Sequence, residues 1–232
     1  MKRGFFATKM VAMSVMSRQD VDDTTMAEIS KACNVPVEEI QDVYACTPLQ
    51  IAAITESSMH RGASTFRFIL NLSPSLDVDR FCNALQEIVS RTAILRTRIV
   101  NCPSGLVQVT IDEIHCTQRP SCSLEEYLQS DKAQPMALGS SLFRTAIIDR
   151  KLVLTMHHAI MDHASLTPLF GDIMSIYYGG EPAKRIEYKT FVADCLNVDD
   201  SAARTFWASR FKGTPAIFPR IESGYIPEAT HK

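Results

Sequence analysis

Thr155-Met156-His157-His158-Ala159-Ile160-Met161-Asp162-His163-Ala164-Ser165 is the stretch on which the reading of this chain turns. An apolar run, Lys151 to Met156, has the character of a strand and gives way to a polar turn at two adjacent histidines. An aspartate follows at a fixed short offset. The end of a strand is where a rigid sheet hands polar side chains to a loop, and such loops carry binding and catalysis. Imidazole suits proton transfer because it holds either protonation state near neutral pH.

Working outward, Leu142 to Ile148 and Leu152 to Met156 read as a hairpin around Asp149-Arg150. After the histidines, Leu166, Leu169, Phe170, Ile173, Met174 and Tyr177 line one helical face, and Gly179-Gly180 ends that helix. Two more helices are expected at about Tyr188 to Leu196 and Ala202 to Phe211, before Gly213, Pro215 and Pro219 break regular structure. Upstream, Thr25 to Glu28 reads as a capping box opening a short helix that ends near Cys33. Thr47-Pro48-Leu49-Gln50 is a stronger start: Thr47 caps, Pro48 suits the first helical position and Gln50 reaches back to the cap. Phe66, Phe68, Leu70 and Leu72 alternate with polar or less apolar neighbours, which predicts a strand with one well-buried face. Asp77 caps a helix whose Val78, Phe81, Cys82, Leu85, Ile88 and Val89 form an apolar stripe. Leu95 to Asn101 and Leu106 to Ile111 predict a second hairpin, and Ser123 with Glu126 another helix start. This order of elements predicts an α+β fold, a mixed sheet with helices packed on it.

The chain has 232 residues, enough for one substantial core, and a formal net charge of -2. That charge points to neither nucleic acid nor a membrane surface. Nothing approaches the ~20 apolar residues of a membrane helix. Seven scattered cysteines without a Cys-x-x-Cys pair read as reduced thiols in a cytoplasmic protein. His115, Cys116 and Cys122 lack the second ligand pair a metal corner needs, and no metal is expected. Met1 to Arg18 is basic, with Met10, Met13 and Met16 at helical spacing. It reads as an amphipathic helix or a presequence. A Ser-His-Asp hydrolase would need a Gly-x-Ser-x-Gly elbow, which the sequence lacks.

The histidine stretch resembles the His-His-x-x-x-Asp-Gly signature of condensation domains of nonribosomal peptide synthetases, within the chloramphenicol acetyltransferase-like superfamily. His163 stands where the signature has glycine. Asp42 to Gln50 is similar to the entry segment of fungal-type condensation domains. Arg91-Thr92-Ala93-Ile94-Leu95-Arg96-Thr97 resembles the family's Arg-His-x-x-Leu-Arg-Thr stretch, with Thr92 in place of histidine. Phe206-Trp207, Gly213 and Phe218-Pro219 resemble the segment leading out of the lobe. The resemblance implies an N-terminal extension over 1–24, the N-terminal lobe of a condensation domain over 25–220 and a tail over 221–232. It also implies a truncated form that begins with its own methionine.

By the resemblance, His158 is the catalytic histidine and His157 supports it. Asp162 is expected to form an internal ion pair, with Arg96 the first choice of partner and Arg91 the second. Removing Asp162 alone would then orphan an arginine and damage folding. His163 is expected beside the channel, where glycine would permit backbone angles that a side chain disfavours. The implied activity is acyl transfer from a carrier-bound thioester to an amine or alcohol in secondary-metabolite biosynthesis. No cofactor is bound directly; the substrates ride on the phosphopantetheine arm of a carrier protein. The partners implied are a carrier protein or peptide synthetase and a second lobe, from another polypeptide or from a homo-oligomer. Acetyltransferases of similar length build sites between subunits, but their motif lies near the C-terminus, whereas about seventy residues follow it here. A non-catalytic docking module and a vestigial fragment of a synthetase are the competing readings.

Overall fold

A computed structural model describes residues 17–113 and 115–213. The methionine-rich N-terminal stretch, Phe218, Pro219 and the 221–232 tail fall outside them. Close contacts divide the chain after Leu196.

In the first unit, α1 (Asp23–Cys33), β1 (Ile40–Ala45), α2 (Pro48–Met59), β2 (Thr65–Asn71), α3 (Val78–Arg91), β3 (Thr97–Cys102) and β4 (Gly105–Ile111) are followed by α4 (Leu124–Ala133). Then come β5 (Phe143–Ile148), β6 (Lys151–His157), α5 (His163–Tyr177) and α6 (Tyr188–Leu196). The α+β expectation holds, and the strands divide between two three-stranded antiparallel sheets, β1-β4-β3 and β2-β6-β5. A parallel bridge joins Gln118 to Ala146. In the second unit, α7 (Asp200–Arg210) is capped by Asp199, which accepts from the Ser201 and Ala202 amides. Among the described residues no helix is long and apolar enough to cross a membrane.

Local chemistry sets these boundaries. Thr47 and Gln50 form a reciprocal capping box with Pro48 inside it, as the sequence predicts. Asp77 accepts from the Arg80 amide to open α3, and Ser123 with Glu126 opens α4. At α1 the cap is Asp22 rather than Thr25: its carboxylate accepts both the amide and the hydroxyl of Thr25, so the helix starts earlier. The β5–β6 turn places Asp149 and Arg150 at positive φ, the conformation a two-residue hairpin requires. Arg150 is an unusual occupant. Its guanidinium donates to the Ser73 and Leu76 carbonyls, which helps hold it there.

Three apolar clusters follow from the patterning. The α3 stripe buries Phe81, Leu85, Ile88 and Val89 against α5 and the Leu152, Leu154, Met156 face of β6. Each large side chain contributes ~1.5–3 kcal/mol by leaving water. Tyr177 accepts a hydrogen bond from the Asp77 amide, so the start of α3 meets the end of α5. Met26, Ile29 and Cys33 of α1 cover the β1-β4-β3 sheet through Ile40, Val109 and Ile111. Tyr127 of α4 packs on Ala146, Ile148 and Val153, the other face of the second sheet.

β2 departs from expectation. Phe68 and Leu72 pack on the main cluster, but Phe66 is 43% exposed and Leu70 37%, and Ile69 on the opposite face is 44% exposed. The reason is topological: among the described residues β2 pairs with β6 alone, and alternation in a sequence cannot tell an edge strand from a covered one.

A buried ion cluster fixes α4 to this sheet. Asp131, with its side chain 2% exposed, accepts from Arg67 Nε at 2.6 Å, Arg144 Nε at 2.9 Å and Thr155 Oγ1 at 3.1 Å. Arg67, Thr155 and Arg144 lie directly opposite one another across β2, β6 and β5. Removing the carboxylate would leave two guanidinium groups half-buried without their counter-ion. Asp131→Ala should therefore cost about 3 kcal/mol in urea denaturation; a loss near that of an exposed substitution would show that the cluster is solvated.

Candidate functional site

β6 carries its last six residues through the interior, so His157 is fully buried. A buried imidazole must satisfy two ring nitrogens without water. Nδ1 accepts from the Ala159 amide at 3.0 Å, and this fixes the proton of the neutral ring on Nε2. That Nε2–H meets Ser57 Oγ on α2 at 2.6 Å, and the Ser57 hydroxyl lies within reach of the Ala63 carbonyl at 2.8 Å. Burial pushes the His157 pKa down to about 4, with the neighbouring His158 adding to the shift. His157 is thus a neutral structural donor across the physiological range.

His158 faces the other way and is partly exposed. Its amide donates to the Ser64 carbonyl at 2.7 Å, across the gap that leads into β2. Ser64 sits at φ +55, stabilised in part by its hydroxyl bond to Glu56 at 2.6 Å. The His158 ring turns back on its own loop, with Nδ1 2.8 Å from the Met161 carbonyl. A carbonyl can only accept, so the neutral ring carries its proton on Nδ1, and Nε2 is left with its lone pair. Nε2 has no hydrogen-bond partner among the described residues. The edge of the ring meets exposed Phe66 at 5.3 Å between centroids, 76° between planes. One wall of the surroundings is therefore apolar and open.

Among the described residues Asp162 pairs with no arginine. It caps α5, accepting from the Ser165 amide at 2.9 Å, while Ser165 Oγ accepts from the Asp162 amide. The Ser165 hydroxyl, with the Ser165 amide adding to it, lowers its pKa. Arg96 is buried elsewhere: it donates to the Val89 carbonyl, Gln41 and the Ile111 carbonyl, joining α3 to β4. Arg91 pairs with Glu87 and Glu181 on the surface. Both expected partners are thus ruled out by contacts that a sequence reading does not reveal. A serine three residues after an aspartate at a helix start was a local cap signal, and it outweighs the long-range pair. His163 is exposed as the first residue of α5 and takes ordinary backbone there, so this turn does not require glycine.

The arrangement can accept a proton at His158 Nε2 while His157 stays neutral. Ser57, which holds the His157 ring, and Ser64, whose carbonyl holds the His158 backbone amide, were not visible as site residues. Ser57 lies on a helix whose sequence shows only packing and a cap, and the role of Ser64 comes from its backbone.

A family model described as Condensation domain matches residues 40–223. The nonribosomal peptide synthetase valB of Aspergillus terreus is 45% identical over 171 residues, 72% of this chain and 6% of that protein. Nonribosomal peptide synthetase 6 of Alternaria brassicicola is 32% identical over 94% of this chain and 16% of its own length. Among solved structures, the starter condensation domain of rhizomide synthetase RzmA superposes with a TM-score of 0.62 at 15% identity, over 75% of this chain and 49% of that one. The structure of holo T3CT gives 0.65 at 19%, over 84% and 49%. The chain spans a small fraction of these synthetases and about half of the solved structures.

Two outcomes follow from the geometry. The unfolded chain binds a proton at His157 near pH 6.5, whereas the folded chain resists it down to about 4. Stability from this group is complete above pH 6.5 and declines as pH falls toward 4. In urea titrations at pH 7 and pH 4.5, wild type should lose on the order of 2 kcal/mol more than His157→Gln; parallel losses would contradict a buried neutral ring. Asp162→Ala should cost only ~1 kcal/mol, the worth of a helix cap, and Asp162→Ser close to nothing. A loss of 3 kcal/mol or more would restore the buried ion pair.

Proposed function

The chain belongs to the condensation-domain family, and from that premise we propose that it is one lobe of an acyltransferase that forms an amide or ester bond from a carrier-bound thioester. The lobe corresponds to residues 25–220, and the setting is nonribosomal peptide biosynthesis in the cytoplasm. The single observation that carries the reading is the fixed tautomer of His158: its lone pair is offered at Nε2 beside an open, apolar wall.

In this reading the incoming amine or hydroxyl donates to His158 Nε2 as it attacks the thioester carbonyl. The C–S bond breaks as the C–N or C–O bond forms. The proton taken by His158 passes to the departing thiolate, so the pantetheine leaves as a thiol and the ring ends neutral. Positioned proton transfer contributes on the order of 10²- to 10⁴-fold, and holding two tethered substrates together contributes more. His157 supports without titrating, Asp162 sets the start of α5, and exposed His163 lies next to the turn. The phosphopantetheine arm enters as substrate, and the protein supplies orientation and the base. The carrier protein and the rest of a synthetase are the partners.

The exposed apolar residues of β2, Phe66, Ile69 and Leu70, fit a lobe that works against a second one. The same residues suit a docking module without chemistry, the second reading. Incubation with a complementary half-domain, an acyl-loaded carrier and an amine-loaded carrier separates the two. Wild type should give product, and His158→Ala should lose at least ~10² in rate. Equal product from the two proteins would remove His158 from its role; binding without product from either would favour the docking module.

A further inference from the structure

We propose that Gln50 is a positioning residue for His158, acting through a one-way chain of amide hydrogen bonds that ties the histidine turn to the opposite sheet. The inference rests on the reading of His158 as the base.

Gln50 was legible only as a capping residue, but its amide does more. The side chain is 2% exposed, and its orientation is not ambiguous. Its Oε1 accepts from the Thr47 amide at 2.9 Å, and an amide N–H can only donate. Its Nε2 therefore points away from the cap. One Nε2 hydrogen goes to the Ala159 carbonyl at 3.0 Å, and the other to Gln108 Oε1 at 2.7 Å. Gln108, fully buried on β4, then donates from its own Nε2 to the Ala45 carbonyl at 3.0 Å. The backbone groups at the ends, the Thr47 N–H, the Ala45 carbonyl and the Ala159 carbonyl, leave both amides one permitted orientation.

Ala159 immediately follows His158. Its N–H is held by His157 Nδ1 and its carbonyl by Gln50. The peptide planes on both sides of that residue are thereby fixed, 109 positions along the chain from Gln50. Two residues further on is the Met161 carbonyl that holds the His158 proton on Nδ1. If Ala159 rotates, that carbonyl moves relative to the ring and the tautomer is no longer determined. A glutamine donor here also leaves a buried carbonyl satisfied that would otherwise be orphaned.

The test uses the chain labelled with ¹⁵N-histidine for tautomers and ¹⁵N-amide for exchange. Gln50→Met keeps volume and removes the donor. Gln50→Glu keeps an oxygen for the cap and removes both Nε2 hydrogens. Thr47→Ala weakens the same cap but leaves the clamp intact. In wild type and Thr47→Ala, His158 should show one species protonated at Nδ1. In Gln50→Met and Gln50→Glu, both tautomers should appear. Exchange of the His158 and Ile160 amides should also rise roughly 10-fold relative to Leu154 in β6. An unchanged tautomer and exchange ratio in both Gln50 variants would overturn the proposal, as would the same change in Thr47→Ala. If both Gln50 variants lose dispersion throughout their spectra, Gln50 is a general core residue and the proposal also fails. None of these readouts needs substrate. Full turnover by His158→Ala would sink the catalytic reading while leaving the clamp in place, and a wild-type tautomer in the Gln50 variants would do the reverse.

Discussion

The structure around the histidine turn depends on one constraint: β6 ends inside the protein, so its last side chain must be satisfied without water. His157 meets that demand as a neutral ring, accepting a hydrogen bond from the Ala159 amide and donating one to Ser57. Both partners are thereby tied down, one in the turn and one on α2. The chain then has little freedom over the next five residues. It reverses through Ala159 to Met161, all three buried, and enters α5 through its cap, Asp162. His158 is the residue in this turn whose ring comes out toward solvent. The two adjacent histidines are chemically alike and differ in behaviour because one is on the strand and the other is past its end.

Much of this was legible in local sequence. Caps at Thr47, Asp77 and Ser123, the two hairpins and the stripes of α3 and α5 depend on residues within a turn or two of each other. Contacts between distant residues were not legible. The burial of β2 depends on whether another element covers it, and that information lies in the topology. Ser57 and His157 are 100 positions apart, and a serine in a helix has many uses.

The charged residues show the same division. Arg96 and Asp162 looked complementary because each belongs to a recognisable motif, yet each is satisfied elsewhere, Arg96 by backbone carbonyls and Gln41, Asp162 by Ser165. The buried ion cluster lies instead at Asp131, which had no motif to mark it. A carboxylate between two guanidinium groups is recognisable only once the three strands are paired in register, because Arg67, Thr155 and Arg144 share a row and nothing in their spacing along the chain says so.

That row has a bearing on solubility. β2 reads Thr65-Phe66-Arg67-Phe68-Ile69-Leu70-Asn71, with Arg67 as its sole charge. Lone cations of this kind act as gatekeepers, repelling the approach of a foreign strand. Here the guanidinium is turned inward to Asp131 and its side chain is only 22% exposed. The protein has committed its gatekeeper to internal structure, leaving a rim of amides and carbonyls unpaired among the described residues and flanked by phenylalanine, isoleucine and leucine. Aggregation resistance at that rim must come from whatever lies over it.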